Sequence, residues 1–400
     1  MNITGIITEY NPFHNGHLYH LNSAKKNTEA HGIVCIMSGN FVQRGEPAII
    51  DKWKRAEMAL LNGVDLVLEL PTFYALSSAE FFAKGSVSIL NSIGVVDNLF
   101  FGSECGDVNS LYKIAKILTF ESEEFKEIIK KNLGKGVTYA KAREIALIET
   151  LKDESLNTIL SSSNNILGIE YIKAILKLNS HIKPMTLKRE GSNYNDNELN
   201  SIFSSATSIR KNLKDCHSIK NLENYMPKPS IDILTNLKNN KYPFVFSEDM
   251  YSFIKYKLLT NCINFNNILE VKEGLDNKLI KEIYSSESLE EFILNIKSKR
   301  YTYTKISRIL AQIFISLDNY DFNSLLDENN LYARVLAFND TGKLILKEMK
   351  KKSNIPIITK VQKKHNNPLL SLDIQSSKAY SILNNEYNPL SDFLNSPIIK

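Results

Sequence analysis

The sequence predicts an α/β fold with a parallel sheet in its first half and a mainly helical second half. Short apolar runs alternate with helical patterns up to about residue 215, and beyond it this alternation disappears while glycines become sparse. A chain of 400 residues is also too long for one ordinary core. We therefore expect two domains, residues 1–215 and residues 216–400.

Five apolar runs predict the strands of the first domain. They start at Ile3 and then span Gly32–Met37, Asp65–Leu70, Val96–Phe101 and Ile182–Lys188. Helical segments separate them, such as the one that follows Asp51, a residue well suited to cap a helix. Strands joined in this way form β-α-β units, so the sheet is expected to be Rossmann-like, with its ligand at the carboxyl ends of the strands. Four loops should then face one crevice: 8–17, 38–47, 71–78 and 102–106.

Composition narrows the class of protein. Hydrophobic residues at 43% and charged residues at 23% are globular values. No apolar run approaches the length of a membrane span, and the N-terminus lacks the features of a signal peptide. The four cysteines are far apart without a C-x-x-C pair, which argues against a zinc site or a disulfide framework. A cytoplasmic location is expected.

Charge is distributed unevenly. Residues 1–210 sum to −1 and residues 211–400 to +6, which together give the net charge of +5. Two basic segments in the second half are candidates for contact with a polyanion, although each could equally be a solvated helix face. The candidate residues are Lys297, Lys299, Arg300, Tyr301, Tyr303, Lys305 and Arg308 in the first segment and Lys351 and Lys352 in the second. Cations interleaved with aromatic rings suit RNA.

The strongest local signal is His14-Asn15-Gly16-His17, which follows the first strand. A helix that starts there would present its N–H groups and positive dipole end to an anion. The two imidazoles can donate to phosphate oxygens, and Gly16 permits close backbone approach. Two other interpretations stay open from the residues alone, a metal site and a structural histidine pair.

A second signal, Ser204-Ser205-Ala206-Thr207-Ser208-Ile209-Arg210, reads as a capped helix start. The two segments together resemble the H-x-G-H and I-S-S-T-x-I-R signatures of the nucleotidylyltransferase superfamily. Ala206 and Ser204 depart from the second signature. In physical terms Thr207 and the helix N–H groups would hold the β- and γ-phosphates, and Arg210 would supply charge, while His14 and His17 would stabilise the α-phosphate under attack.

Longer stretches, including T-E-Y-N-P-F-H-N-G-H, M-S-G-N-F-V-Q-R-G-E-P-A, G-V-D-L-V-L-E-L-P and N-N-I-L-G-I-E-Y, resemble the bacterial tRNA(Met) cytidine acetate ligase family. The resemblance implies ATP-dependent activation of acetate to acetyl-adenylate, then acetylation of N4 of the wobble cytidine of elongator tRNA(Met). It also implies ATP contacts at Ile7, Thr8, Glu9, Tyr10, Asn11, Pro12, Phe13, His14, Asn15, Gly16, His17, Leu18, Tyr19, His20, Gly102, Asn164 and Arg189.

Several residues around the crevice have two interpretations each. Arg189 offers a forked donor for phosphate or is a surface arginine. Gly102 exposes backbone to the nucleotide or simply ends a strand, and Asn164 reads the nucleotide or caps a helix. Arg44 or Lys52 could neutralise triphosphate or acetate, or pair with a carboxylate such as Glu46. Glu104 could help to hold Mg²⁺ with the triphosphate, since Mg²⁺ prefers oxygen ligands.

Three functions remain in competition. A two-step ligase that delivers an activated acetate to tRNA fits the motifs and the basic second half. A small-molecule adenylyltransferase of cofactor biosynthesis would stop after one step, and the large basic second half argues against it. A nucleotide- or RNA-binding module without catalysis is the third, and the intact His14 and His17 argue against it.

Overall fold

The protein is described by a computed structural model over residues 1–153, 156–189, 204–215 and 219–400. The strands of this part are β1 (Ile3–Thr8), β2 (Gly32–Ser38), β3 (Phe41–Val42), β4 (Glu46–Pro47), β5 (Leu66–Leu70), β6 (Asn98–Ser103), β7 (Lys183–Lys188), β8 (Ala333–Phe338), β9 (Ile357–Ile358) and β10 (Ile398–Ile399). The five predicted strands are all present, with bounds that differ by a residue or two.

The helices run between and around these strands. They are α1 (Asn15–Asn27), α2 (Lys52–Leu61), α3 (Thr72–Ala75), α4 (Ala79–Ser92), α5 (Val108–Thr119), α6 (Glu123–Leu133), α7 (Tyr139–Leu151), α8 (Leu156–Ser161), α9 (Ser163–Lys177), α10 (Ala206–Asp215), α11 (Lys228–Asn239), α12 (Tyr251–Leu259), α13 (Leu275–Glu282), α14 (Leu289–Ile296), α15 (Tyr303–Phe314), α16 (Phe322–Leu326), α17 (Asp340–Lys352), α18 (Pro368–Leu383) and α19 (Ser391–Leu394). Within the described ranges, none is long and apolar enough to cross a membrane.

The main sheet has the strand order β10-β8-β5-β2-β1-β6-β7, with β9 beside β8. All pairs from β5 to β7 are parallel. Strand β1 lies between β2 and β6, where Thr4 is opposite both Ile33 and Asn98. The carboxyl ends of these strands therefore meet at one edge, and the predicted α/β fold with a Rossmann-like parallel sheet is confirmed.

Local sequence explains the central elements. Strand β2 is buried along its whole length, as its apolar run G-I-V-C-I-M predicts. Helix α2 begins where Asp51 predicts, because the Asp51 carboxylate accepts the N–H groups of Trp53 and Lys54 at 2.9 and 3.1 Å. The helix then packs its apolar face on the sheet beside β5 and β8.

The second half is mainly helical but also extends the sheet, which the sequence pattern does not predict. Strand β8 pairs with β5 in the antiparallel sense, and β9 and β10 pair with β8. Ala333–Phe338 is a short buried run that carries Arg334, and its partner strand lies far away in the sequence. The domain division at residue 215 stays a prediction, with a sheet that draws strands from both sides of it.

One predicted crevice loop has another role. Residues 71–78 include the short buried helix α3, and the N–H of Thr72 donates to Asp373 of α18 at 2.6 Å. The described residues that line the cavity at the sheet edge come instead from β1 and its turn, α1, the loop 38–47, β6, α4, α9, β7 and the start of α10. The expectation for the third loop is therefore wrong, because α18 covers it.

Candidate active site

The turn after β1 leads directly into α1 and places two histidines at the helix start. His14 is the N-cap residue, and its Nδ1 accepts the N–H of Gly16 at 3.1 Å. The Nδ1 of His17 accepts the N–H of His14 at 3.3 Å, which closes a reciprocal capping box. A Cβ on Gly16 would lie 2.9 Å from Cε1 of His14, so glycine leaves room for the capping ring.

These contacts fix the tautomer of both rings. An Nδ1 that accepts a hydrogen bond carries no proton, so a neutral imidazole holds its proton on Nε2. The rings of His14 and His17 stack with centroids 3.7 Å apart, and the ring of Tyr10 meets His17 edge-on at 4.9 Å. Both histidines line the cavity, and Nε2–H is the donor that each neutral ring retains.

The surroundings keep these rings neutral. Burial lowers the pKa of His14 to about 3, and the charges of Arg189 and Arg210 add to the effect. Burial also lowers the pKa of His17 well below its usual value, with His14 and Arg189 as further causes. The pKa of His20 is lowered to about 4, mainly by burial and then by Arg189. At neutral pH the cavity therefore contains neutral N–H donors beside fixed positive charge.

Buried cations hold the turn in place. The guanidinium of Arg55, fully buried on α2, donates to the carbonyl of Glu9 at 2.7 Å and to that of Ser38 at 3.0 Å. It therefore ties the carboxyl ends of β1 and β2 together. From the other side, Arg210 of α10 donates to the carbonyl of Asn11 at 3.0 Å and pairs with Glu46 at 3.0 Å. The sequence signal that could have indicated Arg55 is a charged residue on the apolar face of a helix.

The start of α10 reaches the same cavity. Ser204, Ser205 and Ala206 line it, and the hydroxyl of Ser205 accepts the N–H of Ser208 at 3.1 Å. Two helix N-termini, those of α1 and α10, therefore face one space, which is favourable for phosphates. Thr207 lies one residue beyond the lining residues. The segment 190–203, just before this signature, lies outside the described residues.

Part of the cavity lining is apolar. Phe82, Phe101, Leu167, Tyr171 and Leu187 line it, and none of them was a candidate from the sequence. Such a wall suits the face of an adenine ring. The signal for it is weak, since buried aromatic and aliphatic residues serve every core.

Most of the predicted nucleotide residues meet here. The cavity is lined by Ile7, Thr8, Glu9, Tyr10, Asn11, His14, Gly16, His17, Tyr19, His20, Gly102, Asn164 and Arg189, joined by Gln43 of the second loop. Pro12, Phe13, Asn15 and Leu18 belong to the predicted stretch but are not among the lining residues. Phe13 is buried beside Tyr10, with ring centroids 4.6 Å apart, so it supports the turn from behind.

The expected role of Glu104 in helping to hold Mg²⁺ stays a prediction, and the structure gives this residue a second role. Its carboxylate caps α9, since it accepts the N–H groups of Asn164 and Asn165 at 3.2 and 2.8 Å and the side-chain amide of Asn164 at 2.7 Å. The part of the chain that the structure describes contains no group of three metal-ligating side chains. Asn164 is therefore not the capping residue itself: its backbone N–H and its side-chain amide both donate to Glu104, and the residue also lines the cavity.

Lys52 is unavailable to a triphosphate or to acetate. Its Nζ is fully buried, 2.7 Å from Glu69 and 2.9 Å from Asp392. Arg334 of β8 joins the cluster through the same two carboxylates, at 3.2 and 2.9 Å. This buried network links α2 and β5 to strand β8 and helix α19. Arg44, by contrast, lies near a residue that lines the cavity, Glu9: burial raises the pKa of Glu9, and the charge of Arg44 opposes this effect.

The first basic segment is only partly exposed. Tyr301 is 9% exposed, and its hydroxyl donates to the carbonyl of Lys272 at 2.8 Å. Arg308 is 8% exposed and pairs with Glu270 through two contacts of 3.1 Å. Both are thereby excluded as RNA contacts, because packing and an internal ion pair occupy them.

The remaining basic candidates lie at or near the surface. Lys297, Lys299, Arg300, Lys351 and Lys352 are exposed, Tyr303 is 38% exposed and Lys305 is half-buried. Arg300 pairs with Glu273 at 2.6 Å, and Lys351 pairs with Glu348 at 2.6 Å. Exposed pairs of this kind exchange partners at little cost, so they do not prevent contact with phosphates.

A cavity of this kind, at the carboxyl edge of a parallel sheet with a histidine-capped helix at its mouth, defines a nucleotidyltransferase. The chain matches the HIGH Nucleotidyl Transferase family over residues 1–392. It is 55% identical over 399 residues to the tRNA(Met) cytidine acetate ligase of Clostridium novyi, which covers 100% of this chain and 99% of that one. The corresponding ligase of Clostridium tetani is 49% identical over 404 residues and covers 100% of both chains.

Solved structures agree. The crystal structure of Thermotoga maritima TmcAL bound with alpha-thio ATP superposes with a TM-score of 0.89 at 34% identity, over 100% of this chain and 99% of that chain. The apo form of the same protein gives the same values. The chain belongs to the tRNA(Met) cytidine acetate ligase family of HIGH nucleotidyltransferases.

Proposed function

We propose that the protein activates acetate with ATP and transfers the acetyl group to N4 of the wobble cytidine of elongator tRNA(Met). Family membership supports this activity, and so does the relative from Thermotoga maritima that binds an ATP analogue. The observation in this chain that carries the proposal is the pair of neutral imidazoles that line the cavity, each with Nδ1 occupied by a backbone N–H and Nε2–H left as the donor.

The first step is adenylation. A carboxylate oxygen of acetate attacks the α-phosphorus of ATP, the bond to the bridging oxygen of the β-phosphate breaks, and pyrophosphate leaves. Negative charge grows on the α-phosphate oxygens, where His14 and His17 donate and where Arg189 adds positive charge. The N-terminal end of α10 and Thr207 are proposed to hold the β- and γ-phosphates. Mg²⁺ is expected to enter as a complex with the triphosphate and not to be bound beforehand by a group of protein side chains.

The second step is acyl transfer. The N4 amine of the cytidine attacks the carbonyl carbon of acetyl-adenylate, an amide bond forms, AMP leaves and N4 loses one proton. The mixed anhydride needs protection from water between the two steps. The partly apolar cavity supports that protection, since residues of the turn after β1 and of helices α4 and α9 line it.

The tRNA is proposed to lie along the exposed basic residues of the second half. Lys297, Lys299 and Arg300 follow α14, and Lys351 and Lys352 end α17. A phosphate footprint of this kind makes binding strongly dependent on salt. On this proposal residues 1–215 supply most of the ATP site and residues 216–400 supply most of the RNA surface.

Pyrophosphate exchange into ATP, measured with and without acetate, tests the first step, and mass analysis of nucleosides from added tRNA tests the second. We expect exchange that requires acetate and one acetylated cytidine in elongator tRNA(Met). Exchange without acetate, or no acetylated cytidine, would contradict the ligase and favour the small-molecule adenylyltransferase.

A further inference from the structure

A second cavity lies directly beside the active site. The side-chain amide of Gln43, which lines the first cavity, is 3.5 Å from the carbonyl of Ser77, which lines the second. Phe82 and Phe81, neighbours on α4, likewise line the first and the second cavity. A single layer of residues therefore separates the two spaces.

One wall of the second cavity consists of three phenylalanine rings. The ring of Phe73 is 5.5 Å from that of Phe322 and 6.4 Å from that of Phe81, and Phe81 and Phe322 are 6.1 Å apart, all edge to face. Phe81 and Phe322 are only half-buried although large and apolar. Such rings offer stacking or edge contacts to a flat group that enters the cavity.

The polar side of the cavity is positive. Glu270 is neutralised by the two-contact pair with Arg308. Lys272 and Lys305 also line the cavity, and over the described ranges neither Nζ has a carboxylate within 4.0 Å. The four charges, one negative and three positive, leave a net charge of +2. An aromatic wall opposite two such lysines is suited to a nucleotide, with its ring on the phenylalanines and its phosphate at the lysines.

A buried amide completes the cavity. Gln312 of α15 lines it, and its Nε2 donates to the carbonyl of Leu76 at 2.7 Å. This bond orients the side chain, so its Oε1 is the end that can accept an N–H from a base edge. Hydrogen bonding to a base edge from a fixed amide is how proteins read unstacked nucleotides.

We propose that the second cavity binds the nucleotide adjacent to the target cytidine, so that two consecutive bases of the RNA enter two neighbouring cavities. This inference rests on the proposed function, which places the cytidine in the first cavity. The base lies against Phe81 and Phe322, and its phosphate lies near Lys272 and Lys305. The unstacked neighbour then holds the cytidine in register for attack on the acetyl-adenylate.

Two conservative variants test the cavity, each with a matched control. Phe322→Leu keeps an apolar side chain but removes the ring, and Lys272→Met keeps the stem but removes the charge. Phe120→Leu and Lys281→Met are the controls, since neither residue lines the cavity and both are exposed. Acetate-dependent pyrophosphate exchange is measured for each variant and reports folding and adenylation separately from RNA binding.

We expect Phe322→Leu to raise the Kd for tRNA about tenfold, which corresponds to about 1.4 kcal/mol, with exchange unchanged. Lys272→Met should reduce the slope of log Kd against log salt by about 0.7, the value for one lost contact to a single-stranded phosphate. The controls should leave both quantities unchanged. An unchanged Kd in Phe322→Leu would overturn the proposal even if acetylation itself is confirmed.

An anticodon stem-loop with an abasic nucleotide on the 5′ or the 3′ side of the target distinguishes the occupant. One of the two abasic RNAs should bind the unmodified protein about tenfold more weakly than the intact stem-loop does. The affinity for that abasic RNA should be the same in Phe322→Leu, because the missing base and the missing ring belong to one contact. If Phe322→Leu weakens the binding of both abasic RNAs further, by the same factor as for the intact RNA, the proposal is contradicted. Tight binding of free CMP that depends on Phe322, with normal RNA affinity in the variant, would indicate an effector site instead.

Discussion

Replacement of His14 by asparagine separates its two roles, because Oδ1 of asparagine replaces Nδ1 of the imidazole but nothing replaces Nε2–H. Nδ1 accepts the Gly16 N–H at 3.1 Å, and asparagine is among the preferred N-cap residues. The free energy of unfolding of His14→Asn should therefore differ from that of the unmodified protein by less than about 0.5 kcal/mol. Complete loss of an N-cap side chain would instead lower it by about 1 kcal/mol. The loss of one donor to the reacting phosphate should reduce exchange about 100- to 1,000-fold.

His14→Gln is the complementary variant, since its amide nitrogen can replace Nε2 while its longer chain caps poorly. It should retain more exchange activity than His14→Asn although its free energy of unfolding is lower by about 1 kcal/mol. Acetate-dependent pyrophosphate exchange and urea unfolding measure the two quantities. If His14→Asn keeps the exchange rate within about threefold of that of the unmodified protein, Nε2–H of His14 does not stabilise the reacting phosphate.

Four further outcomes are expected. His17→Ala should abolish adenylate formation and leave tRNA binding intact, whereas equal loss of both would indicate misfolding. The pKa of His20 is about 4 in the folded protein and about 6.5 in the unfolded chain. As the pH falls below about 6.5, the unfolded state therefore binds a proton before the folded state does, which favours unfolding. The free energy of unfolding of the unmodified protein should thus fall between pH 7 and pH 5, and in His20→Phe it should fall by about 2 kcal/mol less. Equal dependence of the unfolding free energy on pH in the two proteins would contradict the lowered pKa. Lys52→Met should cost about 3–5 kcal/mol of stability, and a folded variant without ATP binding would restore the triphosphate role. Alanine at Lys299 and Arg300 together should weaken tRNA binding and spare exchange, and unchanged affinity would remove both from the RNA surface.

Local chemistry is what the sequence reveals well. The β-α-β alternation, the cap at Asp51 and the histidine turn all depend on residues a few positions apart, and the structure has each of them. Gly102, Asn164 and Arg189 were indicated by the family resemblance. They line one cavity because Gly102 and Arg189 lie at the carboxyl ends of two adjacent parallel strands, while Asn164 lies at the start of α9.

Contacts between residues far apart in the sequence could not be predicted from local patterns. Lys52 reads as an exposed cation near an N-terminus, yet one of its partners is Asp392, on the last helix. Tyr301 and Arg308 read as an RNA surface, yet Lys272 and Glu270 occupy them from a separate segment. In each case a charged or polar side chain is buried because a distant group satisfies it, and no local pattern encodes that group.

The proposed function depends most directly on attack by acetate on the α-phosphorus of ATP in the cavity of His14 and His17. Acetate labelled with heavy oxygen in both carboxylate positions tests it in a single turnover with tRNA. We expect one labelled oxygen in the AMP released and one in the acetyl group on cytidine, since the attacking oxygen stays on phosphorus. AMP without label would contradict the proposal, because the acetyl group would then have been activated elsewhere than on the α-phosphate.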